Sequence, residues 1–214
     1  MIGDLSISLV MPCRNEASHL PAIIAAVPPF FDEILVVSNA STDGTFEIGL
    51  EEMRHDTRLR MLKDDRTHNG IGYGYAHMSG IAAATCDVVV CADCDGTYPI
   101  RDAPRLLREM LEEGCAFASC SRYPDPRIPK KLQLGVYILN IEIAMLYGWH
   151  IGDSLSGMWV FLRDVVPYLH LTEGDWNLSP QIKLNAHRYL GGLSCELHVR
   201  QAVDRLGETK QSYF

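Results

Sequence analysis

Short, unbroken apolar runs alternate with stretches of helical periodicity along the first hundred residues. This is the pattern of βαβ units and a mostly parallel sheet, because strands buried on both faces have no polar side to alternate with. Ile7 to Met11 reads as a strand, Ser18 to Val27 as a helix stopped by Pro28-Pro29, and Glu33 to Val37 as a second strand. Thr45 to Met53 then reads as a helix, Leu59 to Leu62 as a third strand, Tyr75 to Ala84 as a helix of small residues, and Val88 to Ala92 as a fourth strand. One α/β domain is expected.

The rhythm loosens in the second half. A helix is predicted over Ala103 to Glu113, a strand over Ala116 to Ser119, and a Pro-rich loop over Tyr123 to Pro129. Helices near Gln133 to Gly148 and Gln181 to Tyr189 flank a strand at Met158 to Leu162, and Cys195 to Val203 reads as a last strand. Leu134 to Trp149 is the most apolar stretch, yet it is shorter than the roughly 18 to 20 apolar residues that span a bilayer and contains Asn140 and Glu142. It is expected to pack inside the domain, with a membrane-facing surface as the alternative.

Composition narrows the class. With 214 residues, 47% hydrophobic and 21% charged, the chain is an ordinary globular one. Its net charge of −8 argues against nucleic-acid binding, which needs clustered Lys and Arg. Arg127, Lys130 and Lys131 form the one notable basic cluster. Seven cysteines, an odd number, and no secretory leader point to a reduced, cytoplasmic compartment. Cys91 and Cys94 have C-x-x-C spacing but no second pair, so Cys91 is read as a core residue and Cys94 as a spacer.

The chemistry collects at strand ends, where open α/β sheets bind ligands. Asp93-Cys94-Asp95 follows the fourth strand and delivers two carboxylates together, a hard-oxygen pair suited to a divalent cation on a diphosphate. Pro12-Cys13-Arg14-Asn15-Glu16 follows the first strand; Asn15 is a candidate cap for the helix that comes next. Ser38-Asn39-Ala40-Ser41-Thr42-Asp43-Gly44-Thr45 follows the second, and suits either a nucleoside or a capping turn. Asn69-Gly70-Ile71-Gly72-Tyr73-Gly74-Tyr75 enters a helix, but follows the third strand and lacks the full dinucleotide spacing, which disfavours a dehydrogenase. A nucleotidyltransferase is disfavoured too, since the first turn has no glycine.

Taken in order, these turns, with Asp-Cys-Asp-Gly-Thr-Tyr-Pro at residues 93 to 99, resemble the inverting family 2 glycosyltransferases of the GT-A fold, and within them the dolichyl- and polyprenyl-phosphate sugar transferases. Ser121-Arg122-Tyr123, Asp153-Ser154-Leu155-Ser156-Gly157 and Arg205-Leu206-Gly207-Glu208-Thr209-Lys210 are similar to further elements of that group. The resemblance implies a single catalytic domain, Rossmann-like, with residues 1 to 100 holding a nucleotide sugar and 101 to 214 the acceptor. It implies that Pro12, Arg14, Asn15, Glu16, Ser38, Asn39, Ser41, Asp43, Gly70, Gly72, Tyr73, Asp93, Cys94, Arg205 and Lys210 surround the donor, with Mg²⁺ or Mn²⁺ on Asp93 and Asp95. Asp95, Arg122 and Asp153 are the expected catalytic residues: Arg122, with Lys130 and Lys131, for an anionic acceptor such as a lipid phosphate, and Asp153 near the transferred sugar, as base if the acceptor is a hydroxyl.

Three departures bear on specificity. Ser38-Asn39 stands where relatives carry two acidic residues, which leaves the base (UDP or GDP) open; Thr97 replaces a Gln of some mannose synthases, and Gln181 an acidic residue. Many bacterial relatives append transmembrane helices, so an end at Phe214 is read as a soluble form or a shortened one. A hexosyltransferase using a polyprenyl-phosphate acceptor is the leading expectation. The alternatives are a glycosyltransferase with a soluble hydroxyl acceptor and a nucleotide-sugar-binding subunit without turnover. Peripheral membrane contact, a membrane partner subunit and homo-oligomerisation stay open.

Overall fold

The structure is a computed structural model that describes residues 5–123, 128 and 130–200. Its seven strands are β1 (Ile7–Cys13), β2 (Glu33–Ser38), β3 (Leu59–Lys63), β4 (Val88–Cys91), β5 (Phe117–Ser121), β6 (Trp159–Leu162) and β7 (Ser194–His198). They form one sheet in the order β3-β2-β1-β4-β6-β5-β7. Neighbours are parallel except at β6, which runs antiparallel to both β4 and β5. The expected mostly parallel α/β sheet is therefore present. β1 and β2, in its interior, are buried almost throughout, whereas the edge strand β3 alternates buried and exposed positions.

The helices are α1 (Leu20–Ala25), α2 (Thr45–Glu52), α3 (Tyr73–Ala83), α4 (Ala103–Glu112), α5 (Lys130–Tyr147) and α6 (Leu178–Leu190). Alternate strand residues feed two cores: Leu9, Met11, Val88 and Val90 meet Leu20, Ile23, Leu106 and Met110 on one face. Val10, Leu35, Val89 and Cys91 meet Ile81, Leu178 and Ile182 on the other. Gly80 makes the second contact close, since a Cβ there would lie 2.4 Å from Val10 Cγ1. Cys91 and Cys94 belong to opposite cores; Cys91 is the core residue expected, whereas Cys94, expected as a spacer, is a packing residue too.

Most boundaries shift by a residue or two, and three differences carry physical content. The first helix begins at Leu20 rather than Ser18, because Glu16 O already accepts from His19 N–H and Leu20 N–H in a preceding turn. Asn15 accordingly does not cap it. β7 ends at His198, and the rest of its predicted span beyond residue 200 lies outside the described residues.

The third difference is a correction: α5 is not a core helix. Val136 and Ile143, two turns apart, are buried, but Met145 is 81% exposed, Leu146 77% and Tyr137 63%, with Leu134, Ile138 and Ile141 beside them. Hydropathy reports how much a helix gains by burial, not whether a neighbour is there to bury it.

His77, on the sheet side of α3, is fully buried between Tyr73 and Trp159, and neither ring nitrogen has a hydrogen-bond partner. Burial lowers its pKa to about 3. A base whose folded pKa is depressed takes up a proton more readily in the unfolded chain, so stability falls as pH drops below the unfolded value, by about 1.4 kcal/mol per pH unit. Urea midpoints should therefore fall between about pH 6.5 and about pH 5, above the window of the paired carboxylates. His77→Phe should flatten that slope; an unchanged slope would exclude His77 as its source.

Candidate active site

The turns after β1 and β2 are stitched together. Asn15, with a left-handed φ of 51°, accepts from Thr42 N–H at 2.8 Å, and its own N–H donates to Ser41 Oγ at 3.2 Å. Glu16 N–H donates to Thr45 Oγ1 at 2.9 Å and Ala17 N–H to an Asp43 carboxylate oxygen at 3.0 Å. Burial works against the Asp43 charge, but the Thr45 hydroxyl and the Ala17 and Thr45 amides hold its carboxyl below the usual range. The third turn joins through Arg14, whose guanidinium donates to Gly70 O, and through Asn39, whose amide donates to Asp64 O at 2.6 Å and Arg66 O at 2.9 Å. A Cβ on Gly72 would strike that Asn39 amide. Glu16, Ser38 and Asn39 are buried in this floor, and Pro12 stands beside them at the end of β1, in register with Val37.

Asp93 and Asp95 follow β4 in the middle of the sheet. Asp93 accepts from the Tyr73 hydroxyl at 3.2 Å. Asp95 is buried, and one of its oxygens accepts Thr97 N–H at 2.8 Å. The turn between them and Thr97 uses Gly96 at φ 73°. Cys94 points into the core, where the Cys13 thiol beside it and burial push its thiol up. Thr97 Oγ1 is a buried oxygen without a hydrogen-bond partner, next to both carboxylates in sequence. Two carboxylates and an unsatisfied hydroxyl make an all-oxygen donor set that fits Mg²⁺ or Mn²⁺.

The Asp153 to Gly157 segment lies against these carboxylates. A Cβ on Gly157 would come within 3.1 Å of Asp93 Oδ1 and closer still to the Tyr73 hydroxyl, so the approach requires glycine. Gly157 N–H donates to the Tyr98 hydroxyl at 2.7 Å. Tyr98 is buried, and its hydroxyl is pushed up by burial, with Arg122 working the other way and Asp93 and Asp153 adding to the rise. Its hydroxyl thus feels charge from both Asp93 and the Arg122–Asp153 pair.

Arg122 follows β5 and grips the wholly buried Asp153 with both prongs of its guanidinium, Nε at 2.6 Å and Nη2 at 2.9 Å. Burial alone would raise the Asp153 pKa; the Arg122 guanidinium holds it down. Burial also works against the Arg122 charge, and Tyr98 and Asp153 more than offset it. Glu196 clamps the same loop by accepting Gly152 N–H at 2.7 Å and Asp153 N–H at 3.0 Å. Lys183, buried on α6, donates to Asp153 O at 2.6 Å, and burial lowers its pKa to about 8.

Except for Cys94, which was expected beside the donor but turns into the core, the strand-end residues expected at a donor site converge, and Arg122 pairs with Asp153 beyond the end of β5. Lys130 and Lys131 are exposed at the start of α5, while Arg127, Arg205 and Lys210 lie outside the described residues. Gln181 supports the site only from outside: its carbonyl accepts from Thr172 and Glu173 N–H. Tyr98, Lys183, Glu196 and Trp176, whose ring packs 4.5 Å from Tyr73, were not anticipated. Lys183 did leave a signal, a lone charge on the stripe of Leu178, Ser179, Ile182 and Ala186 that α6 buries.

A floor of three linked turns, a carboxylate pair at the central strand end and the buried Arg122–Asp153 pair come together at one end of the sheet. The model of glycosyl transferase family 2 matches residues 8–169, and the chain belongs to that family. An uncharacterized glycosyltransferase of Mycobacterium bovis is 36% identical over 124 residues, which are 58% of this chain and 51% of that protein. The chain thus spans about half the length of this relative. A dolichyl-phosphate hexose transferase of Haloferax volcanii is 25% identical over 97% of this chain and 87% of its own. Among solved structures, glucosyl-3-phosphoglycerate synthase from Mycobacterium tuberculosis, in complex with Mn²⁺, uridine diphosphate and phosphoglyceric acid, matches with a TM-score of 0.73. It covers 94% of this chain and 74% of that one at 20% identity, and establishes the GT-A fold. Among the described residues, no helix is long and apolar enough to cross a membrane.

Proposed function

We propose that the chain is a metal-dependent, inverting hexosyltransferase that moves a sugar from a UDP- or GDP-sugar to a lipid-linked phosphate of the polyprenyl or dolichyl type. The observation that carries this reading is the Arg122 fork, held rigid by buried Asp153 at the head of the loop whose Gly157 lies against Asp93. With Nε and Nη2 engaged by Asp153, the Nη1 side of the guanidinium is what would meet an acceptor phosphate. The floor built from Pro12, Arg14 to Glu16, Ser38, Asn39, Ser41, Asp43, Gly70, Gly72 and Tyr73 would receive the nucleoside. Asp93 and Asp95, with the Thr97 hydroxyl, would hold Mg²⁺ or Mn²⁺, which when bound offsets charge on the departing diphosphate.

A phosphate acceptor is already ionised and needs no strong base. Asp153, whose oxygens are engaged by Arg122, then serves as a positioning residue that keeps the guanidinium aimed. An α-linked donor would give a β-linked sugar phosphate. By the resemblance alone, Arg205 and Lys210, outside the described residues, would meet the donor phosphates.

Two features favour a lipid acceptor: the exposed apolar face of α5, which begins with Lys130 and Lys131 a few residues after Arg122, and the likeness to the Haloferax dolichyl-phosphate enzyme. That helix would rest at the surface of a membrane, with the chain peripheral to it on the cytoplasmic side. The second reading is a small soluble acceptor bearing an anionic group; the phosphoglyceric acid held by the mycobacterial fold neighbour favours it.

A thermal-shift panel of UDP-, GDP- and dTDP-sugars, with Mn²⁺ or with a chelator, tests the donor half, since a ligand that binds the native state raises its stability. One nucleotide should stabilise the chain in a metal-dependent way; no shift with any of them would sink the reading. Transfer assays offering polyprenyl phosphate and 3-phosphoglycerate side by side decide the acceptor. Stabilisation without transfer to either would instead point to a binding subunit.

A further inference from the structure

We propose that Glu113, Cys115 and Cys195 form a second metal site, for a thiophilic cation such as Zn²⁺, at the opposite end of the sheet from the carboxylates of β4. One Glu113 carboxylate oxygen and the two Sγ atoms all lie within 4.8 Å of one another. A tetrahedral cation bound at about 2.3 Å to two sulfurs holds them about 3.8 Å apart, so the set closes on an ion with a small movement of side chains. Three protein ligands leave the fourth position to water.

The backbone prepares the place. α4 ends at Glu112, and Gly114, at φ 70°, turns the chain so that Glu113 and Cys115, two residues apart, face the same side. Cys195 arrives from the start of β7, which pairs in parallel with β5. The surrounding dipoles present their negative ends: Glu113 O and Gly192 O are each 3.8 Å from Cys115 Sγ, and Phe117 O is 3.7 Å from Cys195 Sγ. The C-terminus of α4 adds its own partial negative charge. Soft sulfur donors select Zn²⁺ over the hard ions suited to Asp93 and Asp95.

Bound there, the ion would fasten β7, the edge strand, to the α4–β5 connection. The other ends of β5 and β7 carry the Arg122 fork and the Val199 contact to Ser121. The inference does not depend on the glycosyl-transfer reading.

The test is a Cd²⁺ titration of the whole chain, kept reduced with a phosphine and with Mg²⁺ in excess to occupy the carboxylates. Expected is one equivalent of Cd²⁺ producing a near-ultraviolet thiolate-to-metal band that Zn²⁺ then bleaches. Cys195→Ser should lose the band, and Glu113→Gln should weaken binding and abolish the rise in melting temperature that Zn²⁺ gives the wild type. Glu113 is exposed, so that variant keeps the comparison valid if Cys195→Ser does not fold. A wild-type chain with no band, a Cys195→Ser chain with the full band, or a Glu113→Gln chain stabilised by Zn²⁺ as the wild type is would each overturn the site.

Discussion

Replacing Asp95 with Ala is expected to erase the Mn²⁺-dependent stabilisation by the donor nucleotide and to cut turnover at least about a hundredfold, because a bound cation supplies several kcal/mol of charge stabilisation at about 1.4 kcal/mol per decade. Asp95 is buried at the end of the central strand and already spends one oxygen on Thr97 N–H. Alanine therefore removes a turn constraint as well as a ligand. Asp95→Asn separates the two, since the amide oxygen can still accept from Thr97. Asp95→Asn should melt close to the wild type without metal and still lose the metal-dependent shift. If either variant keeps the full shift in melting temperature, the cation is not held by Asp95.

Arg122→Ala is expected to cost about 3–5 kcal/mol of stability, because it strands a buried carboxylate. Asp153 has no exposed surface and takes both of its close side-chain hydrogen bonds from that guanidinium. Replacing the pair together, Arg122→Met with Asp153→Leu, removes the charge along with its partner and should recover much of the loss, since apolar residues of similar volume often replace buried ion pairs at little cost. Urea denaturation reads this directly, as a shift of midpoint at constant slope. Both proteins should fail to use a phosphate acceptor while still gaining stability from the donor nucleotide. A double variant no more stable than Arg122→Ala would mean that the ion pair is not what the single change breaks. Equal loss of donor and acceptor binding would remove Arg122 from the acceptor side.

The amino-acid sequence by itself determined the strand and helix order of the first half, the place of the carboxylates after β4 and the segments that meet at the site. The reason is local: continuous apolar runs have no stable outcome except strands buried on both faces, and polar turns of small residues can follow them only at the sheet ends. Which residue answers which was decided in three dimensions. Asn15 does not cap α1 and instead ties the first turn to the second, Asn39 spans to the third, and Tyr98 accepts from Gly157 of the loop against Asp93. Asp153, expected near the transferred sugar and as a base only for a hydroxyl acceptor, is the buried counter-charge of an arginine 31 residues away. Lys183 and Glu196 hold that loop from elements no local pattern connects to it, and α5, apolar enough for a core, was left on the surface. Periodicity encodes the faces an element can bury, while partners, burial and charge come from elements far apart in the chain, and only their packing brings them together.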